Sequence, residues 1–211
     1  MSYSQIQQDI KALEFYSSKT KGFFVDIGAW DGLTSSNTFL LESQYDWRGI
    51  CVEANPRMEF VLEQNRPQAF REISAVYTTT GEEVVFDIAN SCEAYSGISN
   101  SLDKWKNLVD ENKTTIKVRT ITFTDLLSKH NAPFFIEYLS LDTEGSELEI
   151  LKSLDHSLYK FGLMDVEHNF VEPKRQELRM FLEANGYIFL EENQFDDRYC
   201  HTTTKHLWKK H

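Results

Sequence analysis

Four apolar runs, 22–28, 48–54, 134–142 and 161–167, each give way to a stretch with apolar residues at helical spacing, and this alternation constrains the chain more than any other feature. Runs apolar at nearly every position belong to strands covered on both faces, as in parallel sheets. Strands that alternate with helices predict an α/β fold, a Rossmann-like doubly wound sheet that is mostly parallel.

A leading helix is expected over 4–18, where Ile6, Ile10, Leu13 and Tyr16 share a face. Thr34, Ser35 and Ser36 are candidate N-caps for a helix reaching Glu42, and Pro56 suits the first turn of the next. Residues 70–76 read as a third strand. The rhythm then breaks at 78–122, where strands over 83–88 and 115–121 flank a Ser- and Asn-rich stretch at 95–101. We read this as an insertion on the sheet's edge whose glycine, serines and asparagine suit a lid. Helices follow from Thr124, over 145–154 and over 173–185, the last stopped by Gly186. Residues 187–190 and 201–208 predict a closing antiparallel pair. With no repeat or linker, residues 1–211 are expected to form one domain.

Charge narrows the function. Twenty-two basic against 33 acidic residues leave a formal charge of −11, which opposes contact with nucleic acid or anionic lipid. No run approaches the roughly 18 to 20 apolar residues of a membrane span, and the amino terminus lacks the features of a secretory signal. Cys51, Cys92 and Cys200 form no metal-binding or disulfide pattern. A cytoplasmic protein acting on a small-molecule or glycan partner is expected.

The first run feeds the turn Asp26-Ile-Gly28-Ala-Trp-Asp31-Gly32. Glycine permits positive φ and close approach of a ligand. The spacing is not the G-x-G-x-x-G of dinucleotide folds, no Tyr-x-x-x-Lys pair is present, and Asp26 and Asp31 would repel a pyrophosphate. The same acids suit a ligand carrying an ammonium and a sulfonium, S-adenosylmethionine. Glu53 ends the second run, where a carboxylate can accept both ribose hydroxyls.

Four segments, 25–38, 49–56, 138–151 and 166–169, resemble the FkbM-type methyltransferases in order and motif. The resemblance implies a class I methyltransferase sheet and methyl transfer, typically to a hydroxyl of a sugar, polyketide or related metabolite. It places Asp26, Gly28, Asp31 and Gly32 in the cofactor loop, Glu53 on the ribose, Asn55 beside the adenine, and Ser74 and Ala75 along the adenine edge. Trp30 departs from the family, which often has a smaller residue there.

Asp142 and Glu144 follow the fourth run, at the carboxyl edge where open α/β sheets bind ligands. Asp142 can touch the cofactor's amino group or orient an acceptor. The plainer reading is that Thr143 or Ser146 caps the next helix. Glu167, His168 and Asn169 end the fifth strand on the same edge, and His168 is the candidate base. Tyr95, Glu144 and Asn169 are candidate acceptor contacts. A metal is not expected, although Asp142, Glu167 and Asn169 are oxygen ligands of the kind that hold Mg²⁺. The rival to an enzyme is a methyltransferase-like binding domain without a usable acceptor pocket.

Overall fold

The computed structural model describes residues 1–209. The chain runs α1 (Gln8–Phe15), β1 (Phe23–Ile27), α2 (Phe39–Tyr45), β2 (Arg48–Glu53), α3 (Glu59–Asn65), β3 (Phe70–Ile73), β4 (Ala75–Val76), β5 (Glu83–Ala89) and β6 (Gly97–Ile98). It continues α4 (Lys106–Glu111), β7 (Lys113–Ile121), α5 (Phe123–Lys129), β8 (Phe135–Leu141), α6 (Glu147–Lys152), β9 (Lys160–Glu167), α7 (Lys174–Ala184), β10 (Tyr187–Asn193) and β11 (Asp196–His201).

Seven strands form the main sheet in the order β10-β11-β9-β8-β1-β2-β3. The pairs from β9 through β3 are parallel, and β11 runs antiparallel to both neighbours. Alternation along each strand sorts side chains between two cores. Val25, Ile27, Ile50, Val52, Leu139 and Leu141 pack with Phe123, Leu151 and Leu182 on one face. Phe24, Cys51 and Tyr138 pack with Ala12, Leu41 and Leu62 on the other. Helices therefore cover both faces, as the alternation of runs requires.

The predicted third strand is two. It breaks at Ser74, whose hydroxyl donates to Glu72 at 3.1 Å, and Ala75 and Val76 leave the main sheet to pair with β7. The 78–122 stretch builds with them a second, four-stranded sheet, β4-β7-β5-β6. Its 97–98 segment is itself a strand, with Ile98 opposite Phe86.

Other boundaries also differ. The first helix spans only Gln8–Phe15, because Gln7, Ser17 and Ser18 take positive φ at its ends. Helix α2 begins at Phe39, since Ser36 Oγ accepts from the amides of Thr38 and Phe39. Pro56 opens a 3₁₀ turn ahead of α3. The closing strand is Asp196–His201, and 202–207 form a 3₁₀ helix. Two aspartates and an arginine disguised that strand. They are buried with partners: Asp197 accepts from Arg175 and Arg179, and Arg198 donates to Asp165 at 2.8 Å. No helix among the described residues is long and apolar enough to cross a membrane.

Candidate active site

The carboxyl ends of β1, β2 and β8 open into a cleft. Gly28, Glu53 and Asp142 at the strand ends line it, with Ala75, Phe86 and Ile98 of the second sheet, Ser74 just before that sheet, and Gln5, Gln8, Asn37 and Phe195. A crevice at strand ends is where open α/β sheets take ligands.

Tight packing at Gly28 shapes the cleft. Its φ is +91°, its amide donates to Val52 O at 3.0 Å, and an added Cβ would lie 1.7 Å from the Asp142 carbonyl oxygen. Glu53 ties the first two loops together. Its Oε2 accepts from the Trp30 amide at 2.9 Å and its Oε1 from the Asn55 amide at 2.6 Å. Burial raises the Glu53 carboxyl to about 7 against these amide bonds. Trp30, at φ +48°, lines the cleft with an indole N–H that is buried without a partner.

Asp26 also lines the cleft, and Thr38 Oγ1 donates to it at 2.6 Å. Burial pushes its pKa upward, while Arg66, Thr38 and Ser140 oppose the shift. Asn55, though buried, is not in the lining: its Oδ1 caps the 3₁₀ turn by accepting from the Arg57 amide, and its Nδ2 lacks a partner.

Asp31 and Gly32 serve the loop rather than the cleft. Asp31 accepts from the amides of Leu33 and Thr34 and from the Thr34 hydroxyl, closing a turn. Gly32, at φ +77°, lies where a Cβ would strike Arg66 and Leu62. Arg66 is fully buried behind it, pairing with Glu42 at 2.7 Å and donating to Gly32 O and Thr38.

The loop after β8 is held by Glu147, not by Thr143 or Ser146 acting as a cap. Glu147 Oε1 accepts from the amides of Thr143 and Gly145 and from the Thr143 hydroxyl, all within 3.0 Å. This leaves Asp142 and Glu144 facing the cleft. Glu167 joins them from β9: single oxygens of Asp142, Glu144 and Glu167 lie within 4.8 Å of one another. Burial, first, and mutual repulsion push Glu144 and Glu167 upward; burial likewise raises Asp142.

His168 departs from expectation. Successive residues at a strand end face opposite sides, so the Glu167 side chain that meets Asp142 directs its neighbour elsewhere. His168 is absent from the cleft lining; its Nδ1 accepts from the Phe170 amide at 2.9 Å, and its Nε2 lies 3.5 Å from Asp197. The lone pair a base needs is thus occupied. Asn169 is a support, its Nδ2 donating to Glu144 at 3.2 Å and its Oδ1 accepting from Lys104 at 3.3 Å. Of the Asp142, Glu167 and Asn169 ligand set expected from sequence, Asp142 and Glu167 lie together with Glu144 as a third carboxylate, and Asn169 stands beside them on Glu144. Tyr95 stacks on Trp105 at 4.3 Å outside the lining, while its neighbours Ala94 and Ser96 reach the cleft.

Sequence reasoning missed Gln8, Asn37 and Ser140. Asn37 Nδ2 donates to Ser140 Oγ at 3.0 Å, and Gln8 Nε2 to Asp196 at 2.8 Å. Ser140 had a signal, standing near the end of β8 two residues before Asp142; Gln8 had none.

The strand order, with a single antiparallel strand between β9 and β10, is that of the class I methyltransferase fold. Among solved structures, the methyltransferase FkbM of Methylobacillus flagellatus KT superposes with a TM-score of 0.52 at 11% identity, over 86% of this chain and 44% of that one. The METTL16 methyltransferase domain gives 0.51 at 10%, over 90% and 64%. A precorrin-6y C5,15-methyltransferase from Geobacter metallireducens GS-15 gives 0.45 at 14%, over 90% and 84%. No curated protein sequence matches the chain. The model of the methyltransferase FkbM domain matches residues 26–189, and the chain belongs to that family of methyltransferases.

Proposed function

We propose that the protein uses S-adenosylmethionine to methylate a hydroxyl oxygen on a sugar, polyketide or related small metabolite or glycan. One observation carries the reading: Gly28, Glu53 and Asp142, from three adjacent strand ends, line one cleft. Glu53 would accept the ribose hydroxyls, each of its oxygens retaining a lone pair beyond the amide bond it already takes. Ser74 and Ala75 would line the adenine, and the acids Asp26 and Asp142 would favour the cofactor's positive end. The sulfonium arrives activated, so transfer needs chiefly in-line positioning of the acceptor. The net charge of −11 favours a small acceptor over nucleic acid or a membrane, and a cytoplasmic setting suits the free cysteines. Calorimetric titration with adenosylmethionine and with NAD tests the reading. Binding of the first alone supports it, and binding of NAD alone overturns it.

A further inference from the structure

The three carboxylates beside the cleft lack a counter-charge. Among the described residues no lysine, arginine or histidine forms an ion pair with Asp142, Glu144 or Glu167; the nearby Lys174 pairs with Asp103, and Lys104 donates to Asn169. The contrast within the same molecule is informative. A second group, His168 with the carboxylates Glu192 and Asp197, also converges, but Asp197 already accepts from Arg175 and Arg179 and has its cations.

A separate observation concerns Glu167. It is only 5% exposed, and its Oε2 is buried with no donor group to accept from; the polar side chain that Glu167 meets is another carboxyl, Asp142. A buried carboxylate oxygen with no donor to accept from is costly, and Glu167 brings that cost to a place where two other carboxylates already converge within 4.8 Å. The donors are all oxygen, with no thiol or imidazole among them, which selects hard cations over zinc or copper. Octahedral Mg²⁺ or Mn²⁺, with metal–oxygen distances of about 2.0–2.2 Å, holds neighbouring ligand oxygens about 3 Å apart, so the ion would draw together three oxygens that now lie within 4.8 Å of one another.

We propose that Asp142, Glu144 and Glu167 form a binding site for one hard divalent cation of the Mg²⁺ or Mn²⁺ class at the edge of the cleft. Asp142 and Glu144 line the cleft, so coordination positions not filled by protein open toward it. That an acceptor oxygen takes one of them rests on the function proposed above; the cation site does not.

The test is a Mn²⁺ titration of the whole protein followed by electron paramagnetic resonance, without methyl donor or acceptor. One Mn²⁺ per chain, displaced by Mg²⁺, is expected, with affinity weakened about tenfold or more in Glu167→Gln, since loss of even an outer-shell partner typically costs 10–100-fold. Asp142→Asn gives the same comparison if Glu167→Gln does not fold by circular dichroism. Absence of stoichiometric Mn²⁺ binding to the wild type, or equal affinity in the folded variants, overturns the site. A parallel adenosylmethionine titration separates the two ideas: Mn²⁺ binding without cofactor binding keeps the cation site and removes the proposed function, and the reverse result removes only the site.

Discussion

Gly28 and Asp142 meet so closely that a β-carbon on the first would sit 1.7 Å from the carbonyl oxygen of the second. This contact joins the end of β1 to the start of the acidic loop, and the Asp142 amide reinforces it by donating to Ile27 O at 3.0 Å. Gly28→Ala adds a methyl that backbone cannot evade and imposes a side chain at positive φ. Destabilisation of about 1–3 kcal/mol is expected, with loss of cofactor binding, read by thermal unfolding and calorimetry. Unchanged stability and affinity would show that the contact does not shape the site.

Arg66 offers a test of the scaffold behind the loop. It is fully buried with Glu42 and braces Gly32 and Thr38. Removing one partner of a buried pair strands the other charge, typically at a cost of about 3–5 kcal/mol. Arg66→Met should show such a loss in denaturant unfolding, and Arg66→Met with Glu42→Leu should recover part of it. A single variant as stable as wild type would contradict the bracing role.

Much of this arrangement was legible because its determinants are local. The runs at 22–28 and 48–54 are apolar through their length, and Gly28 and Glu53 stand at their ends. The failures have physical causes too. Parity at a strand end decides which side chain faces a neighbour, and a one-residue difference separates Glu167, beside Asp142, from His168, beside Asp197. Asp31 and Gly32 carry residue types that fit a ligand loop equally well as a turn and a packing contact. The sequence pattern places the closing strand at 201–208 rather than at β11, because the partners that let Asp197 and Arg198 be buried come from α7 and β9, far off in sequence. Gln8 reaches the cleft from a helix with no nearby motif.

His168 provides a sharp contrast between the sequence reading and the structure. Nδ1 is engaged by the Phe170 amide and the ring lies outside the cleft lining, so the imidazole presents no free lone pair to the cleft. His168→Gln should therefore retain methyl transfer with a pH–rate profile of unchanged shape. Disappearance of a step below the ordinary histidine value of about 6.5, the direction in which burial moves this imidazole, would restore the catalytic assignment.

The Glu53 carboxyl makes a prediction about pH. Its pKa rises from 4.5 to about 7 in the fold, so the folded protein holds the proton more tightly than the unfolded chain. That contribution is complete below about pH 4.5 and is lost as pH rises through about 7. At about 1.4 kcal/mol per pKa unit, the wild type should lose roughly 3 kcal/mol relative to Glu53→Gln across this window. Asp26 is the charge nearby that adds to the shift. Parallel stability curves for the two proteins would show that Glu53 is not so displaced.

The central claim, that the cleft holds S-adenosylmethionine through Glu53, is tested most directly by calorimetry on wild type and Glu53→Ala. One cofactor per chain is expected, and the variant should lose about 1.5–3 kcal/mol of binding free energy, the usual worth of a hydrogen bond to a charged group, while keeping its circular dichroism spectrum. No binding to the wild type, or equal affinity in a folded Glu53→Ala, would contradict it.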